Sequence, residues 1–498
     1  MKYMKKLTAA IIILFSCAAF FACSKAGQTD KPGSTEISGN PGGDVSDEDE
    51  AKPQRLQPNL PDMDLNGETI NFLVRGEQYN WYWCSREIYA GEENGEPLND
   101  AVYRRNRHVE GKYNFEIKEY RSSNPYGDAD KAAKAGDPIY DAFMLGPDEA
   151  ARMAQNGYLQ DLHKIPHLDL SRPWWDQRAV GQLNIGGRLY CAFGDINTQD
   201  NDALFVVFFN KKLIVDHNMD NPYPLVRNGE WTLDKFNQMC RDISKDTNGD
   251  GKMDENDLYG QLTEYLGAYM FFVGGGGRIT SNNAENSPEL VISGEKTTAL
   301  VDKMLVSMGN REFTLMANDY FGKYKNPWDD LTRPMFKGNQ ALFYTIGMGT
   351  ADLMRDMEAD FGVLPLPKFD ANQKEYYCPG SNMISALCIP VTNGRTEYTG
   401  LAVEAMAAES MYTVTEAYYS INFENKNLRD EESIDMMKII LASGSYDLGY
   451  MFNFGGLVDI FEPMAKKNSN TFVSDYEKKE SKAQKDIEKF TEKFQGMQ

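Results

Sequence analysis

The residues best placed to do chemistry form a twelve-residue loop, 246–257, with the sequence DTNGDGKMDEND. Oxygen-bearing side chains occupy loop positions one, three, five, nine and twelve, and a glycine stands at position six, where a calcium-binding loop turns sharply. Calcium held there would be a structural cofactor. The predicted ligands are Asp246, Asn248, Asp250, the carbonyl of Lys252, Asp254 and Asp257.

The last ligand position weakens this predicted site. Asp257 stands where a strong site has a bidentate glutamate, and residues 258–260 (LYG) indicate a turn into a strand instead of the second helix of an EF-hand. A dissociation constant of about 0.1 mM would give about 1.4 kcal/mol of stabilisation in millimolar calcium. An Asx-rich turn that binds no metal is the alternative.

Six tryptophans and 27 tyrosines give the chain many rings that could stack on a ligand. Trp81 and Trp83 follow the first predicted strand across a short loop, where ligand clefts lie in α/β proteins. Flat rings beside amides and carboxylates suit a sugar, whose CH faces stack while its hydroxyl groups form hydrogen bonds. Trp328 and Tyr344 are further candidates for ligand contact, and for every one of these rings the hydrophobic core is the competing location.

Sequence motifs of common enzymes are absent from the chain. It contains no nucleophile elbow, no HExxH zinc motif, no Walker loop and no GxGxxG after a strand. The four glycines at 274–277 lack the Lys-Ser/Thr pair of a phosphate loop. Acidic residues are too numerous for one pair to be identified as a glycosidase acid and base. The sequence therefore predicts a binding protein, not an enzyme.

The first 23 residues predict export. Residues 1–6 carry three lysines, residues 7–22 are almost wholly apolar, and Cys23 precedes a polar run. Because the apolar run is shorter than the roughly 20 residues of a spanning helix, residues 1–22 are interpreted as a signal peptide and Cys23 as an acylated first residue. Cleavage before Cys17 would leave the apolar residues 18–22 exposed. A secretory signal followed by an incidental cysteine is the other alternative.

Composition predicts how the exported chain meets its surroundings. Residues 23–59 are rich in glycine, proline, serine and acids, which is typical of a disordered tether. The chain has 52 basic and 74 acidic residues, a net charge of −22. This charge repels phosphate backbones and anionic lipids, so we expect no nucleic-acid partner and membrane contact through the lipid anchor only. The predicted location is the cell surface, outside the cytoplasm.

The cysteines beyond residue 23 do not indicate a disulfide scaffold. They are odd in number, widely spaced and contain no CxxC pair. We interpret them as small buried hydrophobic residues, with a bond between Cys378 and Cys388 as the alternative. The five residues are Cys84, Cys191, Cys240, Cys378 and Cys388.

Beyond residue 60, short β-like runs alternate with amphipathic helical stretches, which is typical of α/β layering. Asn99 and Thr232 are the predicted N-caps of two helices. Strands are predicted at residues 70–74, 115–120, 140–145, 204–209, 341–346, 361–364 and 383–389. Helices are predicted at residues 99–113, 148–156, 232–244, 294–308, 397–411 and 476–494.

Several short motifs in this order resemble the extracellular solute-binding lipoproteins of bacterial ABC sugar importers, the group that includes maltose-binding protein. Each motif alone is a weak indication of this family, but their order behind a lipoprotein signal is a specific one. They are residues 95–106 (GEPLNDAVYRRN), 140–142 (YDA), 157–162 (GYLQDL), 173–176 (PWWD), 187–190 (GRLY), 209–213 (FNKKL), 231–233 (WTL), 336–342 (FKGNQAL) and 364–367 (LPLP).

The resemblance implies a periplasmic-binding-protein-like fold, with two α/β lobes, a hinge of crossing strands and an interlobe ligand cleft. The first lobe would comprise residues 60–194 and 375–411, and the second residues 195–374 and 412–498. The crossings would fall near residues 193–203 and 366–377. The first crossing would then bring Asp195 and Asn197 against the ligand, with Asn382 at the edge of the cleft.

The resemblance also implies a function. A surface-anchored monomer would capture a sugar, an oligosaccharide or another small polar solute by hinge closure and deliver it to the permease subunits of an ABC transporter. Two alternatives stay open. One is a surface carbohydrate-active enzyme, and the other is a glycan-binding lipoprotein that works without a transporter.

Overall fold

A computed structural model describes residues 55–77, 83–381, 383–423 and 431–496, with only the helical backbone at 420–423. The signal peptide, Cys23, most of the tether, Trp81 and Asn382 lie outside the described residues and stay predictions. Residues 58–498 form one unit by their internal contacts. In the described ranges, no helix combines the length and the apolar character needed to cross a bilayer.

The strands are short and follow the predicted pattern in most places. All seven predicted strands are present within a few residues of the expected bounds, and six further strands of two to five residues are added to them. In chain order they are β1 (Glu68–Arg75), β2 (Phe115–Ser122), β3 (Ala142–Leu145), β4 (Phe205–Asn210), β5 (Tyr259–Thr263), β6 (Thr280–Asn282), β7 (Pro288–Leu290), β8 (Thr314–Met316), β9 (Ala341–Gly347), β10 (Phe361–Leu364), β11 (Cys378–Pro379), β12 (Ala386–Cys388) and β13 (Gly444–Ser445).

The α-helices lie between and after these strands. They are α1 (Pro97–Tyr113), α2 (Pro125–Ala135), α3 (Pro147–Gln155), α4 (Gln177–Gln182), α5 (Gln199–Asp202), α6 (Lys211–Asp216), α7 (Pro222–Arg227), α8 (Leu233–Ile243), α9 (Gly267–Gly274), α10 (Glu295–Met308), α11 (Arg333–Lys337), α12 (Thr396–Ser410), α13 (Val414–Phe423), α14 (Glu431–Leu441), α15 (Leu448–Phe452), α16 (Phe461–Lys467) and α17 (Phe472–Gly496). Short 3-10 turns lie at Leu162–Lys164, Ala317–Tyr320, Met348–Met354, Phe454–Gly456 and Val458–Ile460, and a π-type turn at Trp328–Thr332.

The first sheet has four strands in the order β12-β3-β1-β2. β1 runs parallel to β2 and β3, and β12 runs antiparallel to β3. Helix α2 packs against β1, β2 and β3, while α12 and α13 pack against α1. β3 is buried along its whole length because it lies inside the sheet under this helical cover. We call this sheet and its helices the first lobe.

The second sheet has five strands in the order β10-β4-β9-β5-β8. β9, β5 and β8 run parallel to one another, and β4 runs antiparallel to both β9 and β10. Helix α8 packs against β5, α11 against β9 and α14 against β10. β4 and β5 are fully buried continuous runs, as expected of central strands covered by helices. This sheet and its helices form the second lobe.

The strands of each sheet fall within the residues predicted for the corresponding lobe. Helix α13 begins beyond residue 411, yet it packs against α1 of the first lobe. The chain therefore continues to contact the first lobe after α12, before α14 reaches the second sheet. The exact lobe boundaries stay predictions.

Helix starts follow local capping chemistry. The carboxylate of Glu96 accepts the N–H of Asn99 at 2.6 Å, and Pro97 takes the first helical position of α1, where no N–H is required. The prediction that Asn99 caps this helix is therefore wrong. The hydroxyl of Thr232 accepts the N–H of Lys235 at 3.3 Å, so the predicted cap of α8 is confirmed.

The cores hold the large aromatic and sulfur-containing side chains. Trp174, Trp175 and Trp231 are each no more than 1% exposed. The indole N–H groups of Trp174 and Trp175 donate to the two oxygens of Glu404, at 3.1 and 2.9 Å. The five cysteines beyond residue 23 are all buried, and they form no disulfide with one another, which confirms their interpretation as small hydrophobic residues and removes the alternative of a Cys378–Cys388 bond.

Candidate functional site

Two segments connect the lobes side by side. Residues 192–204 lead from the first lobe into β4, and residues 380–385 lead back from the second lobe into β12. Ala192 pairs with Leu387 and Leu204 with Gly380, both antiparallel. The first crossing lies where the resemblance implies, whereas the second lies beyond the predicted stretch 366–377. A pair of crossing segments is a hinge that both lobes share.

Two backbone hydrogen bonds bring Asp176 next to Asp195 of the first crossing. The N–H of Asp176 donates to the carbonyl of Phe193 at 2.9 Å, and the N–H of Asp195 donates to the carbonyl of Trp174 at 2.9 Å. Gly194 lies between them, and a Cβ atom there would be 2.2 Å from the Trp174 carbonyl oxygen. Only glycine allows the two backbones to approach so closely.

Asp176, Asp195 and Asp200 form an acidic group at this crossing. The hydroxyl of Tyr446 donates to Asp176 at 2.7 Å, and the hydroxyl of Thr415 donates to Asp195 at 2.7 Å. Asp200 accepts the N–H of its neighbour Asn201 at 2.8 Å. Asp176 also caps α4, where its Oδ1 accepts the N–H groups of Arg178 at 2.8 Å and Ala179 at 3.1 Å. Asp195 and Asp200 therefore keep more oxygen lone pairs than Asp176 for the hydroxyl groups of a ligand.

The surroundings of this acidic group oppose ionisation. Burial, reinforced by the charge of Asp176, raises the pKa of Asp195 to about 7 against the opposing hydrogen bond from Thr415. Burial and the charges of Asp176 and Asp195 raise the pKa of Asp200 well above its usual range. Both side chains are only half-buried by surface area. The increase in both pKa values therefore comes from the protein packed around a cleft. A little solvent still reaches each carboxylate there.

A neighbouring ion pair joins the first lobe to the same crossing. The guanidinium of Arg86 lies 3.0 Å from Asp202, and the hydroxyl of Tyr418 donates to the same carboxylate at 2.8 Å. Burial still raises the pKa of Asp202 to about 6, although Arg86 and Tyr418 lower it. This pair fixes the segment after Trp83 against the end of the crossing.

Gln199 connects three segments of the cleft through one buried amide. Its Nε2 donates to the carbonyls of Trp83 at 3.2 Å and Cys84 at 2.8 Å, and its Oε1 accepts the hydroxyl of Ser385 at 2.8 Å. Trp83 itself is half-buried against the core. The loop that carries Trp83 is thereby tied to both crossing segments, so the position of this ring depends on the hinge.

A small cavity lies beside this acidic group, between residues of both lobes and the segment after β13. Two pairs of stacked rings line it. Phe193 and Tyr446 have ring centroids 5.2 Å apart, and Tyr269 and Tyr450 have centroids 4.6 Å apart. Ser445 also lines the cavity, and its hydroxyl has no hydrogen-bond partner among the described residues. Aromatic walls beside carboxylates suit a ligand with apolar faces and polar edges.

The second lobe contributes Glu264 and Trp328. Glu264 is the residue directly after β5, at the carboxyl end of a parallel strand. Burial raises the pKa of Glu264 to about 7, and the indole N–H of Trp328 lowers it in part. Both side chains are half-buried. A carboxylate next to an aromatic ring is again an arrangement that binds a sugar hydroxyl and a sugar face together.

Two of the predicted ligand contacts are buried side chains that already have hydrogen-bond partners within the protein. Asn197 is 2% exposed; its Nδ2 donates to the carbonyl of Ser385, and its Oδ1 accepts the N–H of Gln199 at 2.9 Å. Tyr344 is 1% exposed, in β9, and its hydroxyl lies 3.0 Å from that of Thr332. Asn197 holds the hinge and Tyr344 belongs to the core, so we do not propose them as ligand contacts.

Sequence reasoning placed Asp195, Trp83 and Trp328 near the cleft but did not single out Asp176, Tyr446 or Glu264. Asp176 and Tyr446 are separated by 270 residues in the chain, so no local pattern reports their contact. Glu264 had a local signal, because a carboxylate directly after a buried strand lies at the edge where α/β proteins bind ligands. The sequence indicates a turn into a strand at residues 258–260 but not where that strand ends, so Glu264 was not placed at its end.

The loop 246–257 has the shape expected of a calcium-binding loop. The two oxygens of Asp246 accept the N–H groups of Gly249 at 2.6 Å and Gly251 at 2.8 Å. Gly251, at position six, has a φ of +80°, the left-handed turn that this position needs. Strand β5 follows the loop, so the expected replacement of the second helix by a strand is confirmed.

The donors of this loop are suitable in type. Asp257 accepts the N–H groups of Thr247 and Asp254, each at 2.8 Å. Burial opposes its ionisation, but these N–H groups outweigh burial and lower its pKa. Its Oδ1 also accepts the hydroxyl of Thr247 at 3.3 Å, so Oδ2 is the oxygen of Asp257 that keeps a second lone pair for a cation. No three acidic, histidine or cysteine side chains of the described residues are gathered around one metal position. The residue types of the loop fit calcium. Because their side chains are not gathered around one position, calcium binding stays a proposal.

No protein-family model and no curated protein matches the chain. Solved structures match it at low sequence identity over nearly their full length. The maltose-binding periplasmic protein MalE from Listeria monocytogenes in complex with maltose is 13% identical, with 85% of this chain and 98% of that chain covered and a TM-score of 0.54.

Two other structures give similar values. UspC from M. tuberculosis is 13% identical, with 83% and 99% of the two chains covered and a TM-score of 0.53. An ABC substrate-binding protein from Listeria monocytogenes in complex with cycloalternan is 14% identical, with 87% and 100% covered and a TM-score of 0.51. These similarities establish the fold, and they confirm the prediction of a periplasmic-binding-protein-like architecture with two α/β lobes.

Proposed function

We propose that this protein captures a sugar or oligosaccharide in the cleft between its lobes, closes around it by a hinge motion and delivers it to an ABC permease. The observation that carries the proposal is the acidic crossing. Asp195 and Asp200 lie on the segment that joins the two sheets, beside the rings of Phe193 and Tyr446. Carboxylates are strong acceptors for the hydroxyl groups of a sugar, and the rings can stack on its CH faces.

Ligand contacts from both lobes would drive closure. The first lobe and the crossing offer Trp83, Asp195 and Asp200, and the second lobe offers Glu264 and Trp328. A ligand that touches both sets binds the closed form better than the open form, so it shifts the population toward closure. Trp81 and Asn382, which lie outside the described residues, stay in this proposal as predicted contacts.

Related folds support a sugar as the ligand. The structures of MalE with maltose and of the Listeria substrate-binding protein with cycloalternan both hold sugars. They are binding proteins of ABC type, which supports capture and delivery without chemical change. The low identity leaves the ligand of this chain as a proposal.

Location and stability complete the proposal. Cys23, acylated after removal of residues 1–22, would anchor a monomer to the outer face of the cell membrane. About 35 residues of flexible tether would hold the folded part on the order of 30 Å from the lipid, within reach of a permease. Calcium in the loop 246–257 would stabilise the second lobe without taking part in ligand binding.

Isothermal titration calorimetry of the mature protein against neutral oligosaccharides tests this function. The panel contains malto-, cello-, xylo- and mannooligosaccharides, and each mixture is analysed afterwards by chromatography. At least one series should bind and be recovered intact. At pH 8, where both carboxyls are mostly ionised, Asp195→Asn and Glu264→Gln should each lower the affinity by about 10- to 150-fold, because each removes a hydrogen bond to a charged group.

Asp234→Asn is the matched control, because Asp234 lies on α8, 67% exposed and paired with Lys303 on the surface. Its affinity should equal that of the unchanged protein. Cleaved products in the mixtures would identify an enzyme instead. Equal affinity in Asp195→Asn, Glu264→Gln and the control would place the ligand outside this cleft.

A further inference from the structure

The acidic group at the first crossing forms no ion pair with the lysines and arginines of the described residues. Two arginines of this region pair with other carboxylates, Arg86 with Asp202 at 3.0 Å and Arg178 with Glu375 at 3.5 Å. One half-buried carboxylate can stay unpaired, but three carboxylates at one position repel one another. The protein therefore leaves the negative charge of this group uncompensated inside the cleft.

The repulsion within the group is visible at Asp200. Burial and the charges of three other carboxylates raise its pKa against the N–H of Asn201; these carboxylates are Asp176, Asp195 and Glu87. A neutral sugar needs only hydrogen-bond acceptors, which amide and hydroxyl groups supply without such repulsion. A positive charge on the ligand would be attracted by every carboxylate of the group and would relieve their repulsion. The composition of the site therefore favours a cationic ligand.

A buried hydroxyl beside the acidic group is also available to a ligand. Ser445 is 6% exposed and lines the cavity, and its Oγ has no hydrogen-bond partner among the described residues. Both of its neighbours in the chain lie against Asp176. The Tyr446 hydroxyl donates to this carboxylate, and a Cβ atom at Gly444 would lie 3.6 Å from its Oδ2.

The unpaired hydroxyl of Ser445 points to a ligand that donates hydrogen bonds. A buried polar group without a partner costs free energy, so a donor that reaches its Oγ would remove that cost. An ammonium group carries three donors and no acceptor. It can therefore donate to carboxylates and to a hydroxyl oxygen at the same time.

Tyrosine rings complete the surroundings of the acidic group. Burial and the charges of Asp195 and Asp200 raise the pKa of Tyr419. Burial and the charges of Asp176 and Asp200 likewise raise the pKa of Tyr446. Both rings therefore lie close to the carboxylates. The face of an aromatic ring attracts an ammonium group, and the attraction is stronger where water is partly excluded.

We propose that the cleft holds an amino sugar, or an oligomer of one, and that the acidic group binds its protonated amino group, with Ser445 as an additional acceptor. This inference rests on the proposed function and adds the substrate class of the same site. The amino group replaces one hydroxyl group of a sugar, so the apolar faces of the sugar stay available to the aromatic walls. Neutral sugars of the same shape should bind the cleft more weakly, because they leave the acidic group uncompensated.

Matched pairs of sugars test this substrate class. Calorimetry at pH 7 on the mature protein compares glucosamine, galactosamine and mannosamine with glucose, galactose and mannose, and a β-1,4-linked glucosamine tetramer with cellotetraose. Each amino sugar is also measured in its N-acetylated form, which keeps the nitrogen but not the charge. At least one amino sugar should bind about 10- to 150-fold more tightly than its neutral and its acetylated partner, because it adds a hydrogen bond between charged groups.

Asp200→Asn should lower the affinity for that amino sugar more than the affinity for its neutral partner, and so reduce the preference by about 10-fold or more. Asp234→Asn is the matched control, because it removes the same charge from the surface, and it should leave the preference unchanged. If every neutral sugar binds at least as tightly as its amino partner, the inference fails while the proposed function stays intact. An equal preference in Asp200→Asn and Asp234→Asn would also overturn it.

Spermidine, a cation without a sugar ring, is the last probe. It should bind more weakly than the preferred amino sugar, because it offers no sugar hydroxyl groups to the cleft. Tighter binding of spermidine than of every sugar would remove both the inference and the proposed function. No binding of any sugar, amino or neutral, by the unchanged protein would also remove both.

Discussion

Replacing Asp195 by asparagine should stabilise the unliganded protein at high pH and weaken its hold on a sugar. Burial raises the pKa of Asp195 from its ordinary 3.8 to about 7. Between these values the folded protein keeps a proton that the unfolded chain has released. The free energy of unfolding must therefore fall as pH rises from about 4 to about 7, and stay lowered above that. Asparagine has no proton to lose, so this fall in the free energy of unfolding disappears in the variant.

The size of the effect follows from the pKa. An increase of about three in pKa corresponds to about 4 kcal/mol at most, present at pH 8 and nearly absent at pH 4. Asp195 keeps some contact with solvent, and its charge interacts with that of Asp200, whose pKa is also raised. The expected gain for Asp195→Asn at pH 8 is therefore smaller, about 1–3 kcal/mol.

Urea denaturation at pH 4.5, 6 and 8 measures this difference directly. Thr415→Val serves as the opposing variant, because the Thr415 hydroxyl donates to Asp195 and lowers its pKa. Thr415→Val should therefore enlarge the fall in stability with pH, whereas Asp195→Asn should reduce it. A difference between Asp195→Asn and the unchanged protein that is constant from pH 4.5 to 8 would refute the reasoning, as would a variant that is less stable at pH 8.

Three further outcomes are expected. Gln199→Ala should weaken oligosaccharide binding measured by calorimetry more than a core variant of equal melting temperature does, because it removes the hydrogen bonds from Gln199 to the loop of Trp83 and to Ser385; equal weakening would make Gln199 merely structural. Millimolar calcium should raise the free energy of unfolding by about 1.4 kcal/mol in thermal melts relative to chelator, and Asp250→Ala should abolish this rise; a rise that survives in Asp250→Ala would place the cation elsewhere. Gly194→Ala should lower the melting temperature strongly, because its Cβ atom would collide with the Trp174 carbonyl; an unchanged melting temperature would contradict the tight ladder at the hinge.

The sequence predicts the elements whose signals are local. β1, β4 and β9 combine β-branched and aromatic residues in short runs, so their positions follow from pattern alone. Thr232 caps α8 as predicted, because its hydroxyl and the following apolar period lie within one helical turn. The helix α1 shows the limit of the same reasoning. It begins at Pro97, two residues before Asn99, and Glu96 is its N-cap. A proline in the first turn is a start signal that competes with an asparagine cap.

The candidate site depends on contacts that no local pattern reports. Asp195 was predicted because the resemblance implies a crossing near residues 193–203, and Asp195 stands in the polar run of that segment. Its neighbours Asp176 and Tyr446 come from distant parts of the chain and meet only through the fold. Tyr344 has the residue type of a ligand contact, but it faces the core because β9 is covered on both sides. Residue type alone cannot show whether an aromatic ring lies in the core or in the ligand cleft.

Closure on a ligand is the central claim, and small-angle X-ray scattering measures it most directly. The mature protein is measured alone and with a saturating oligosaccharide that calorimetry has shown to bind, with Asp195→Asn at the same sugar concentration as the control. The radius of gyration should fall when the sugar binds the unchanged protein, because the two lobes approach about the crossings 192–204 and 380–385. An unchanged radius of gyration at full saturation would contradict a receptor that closes by a hinge.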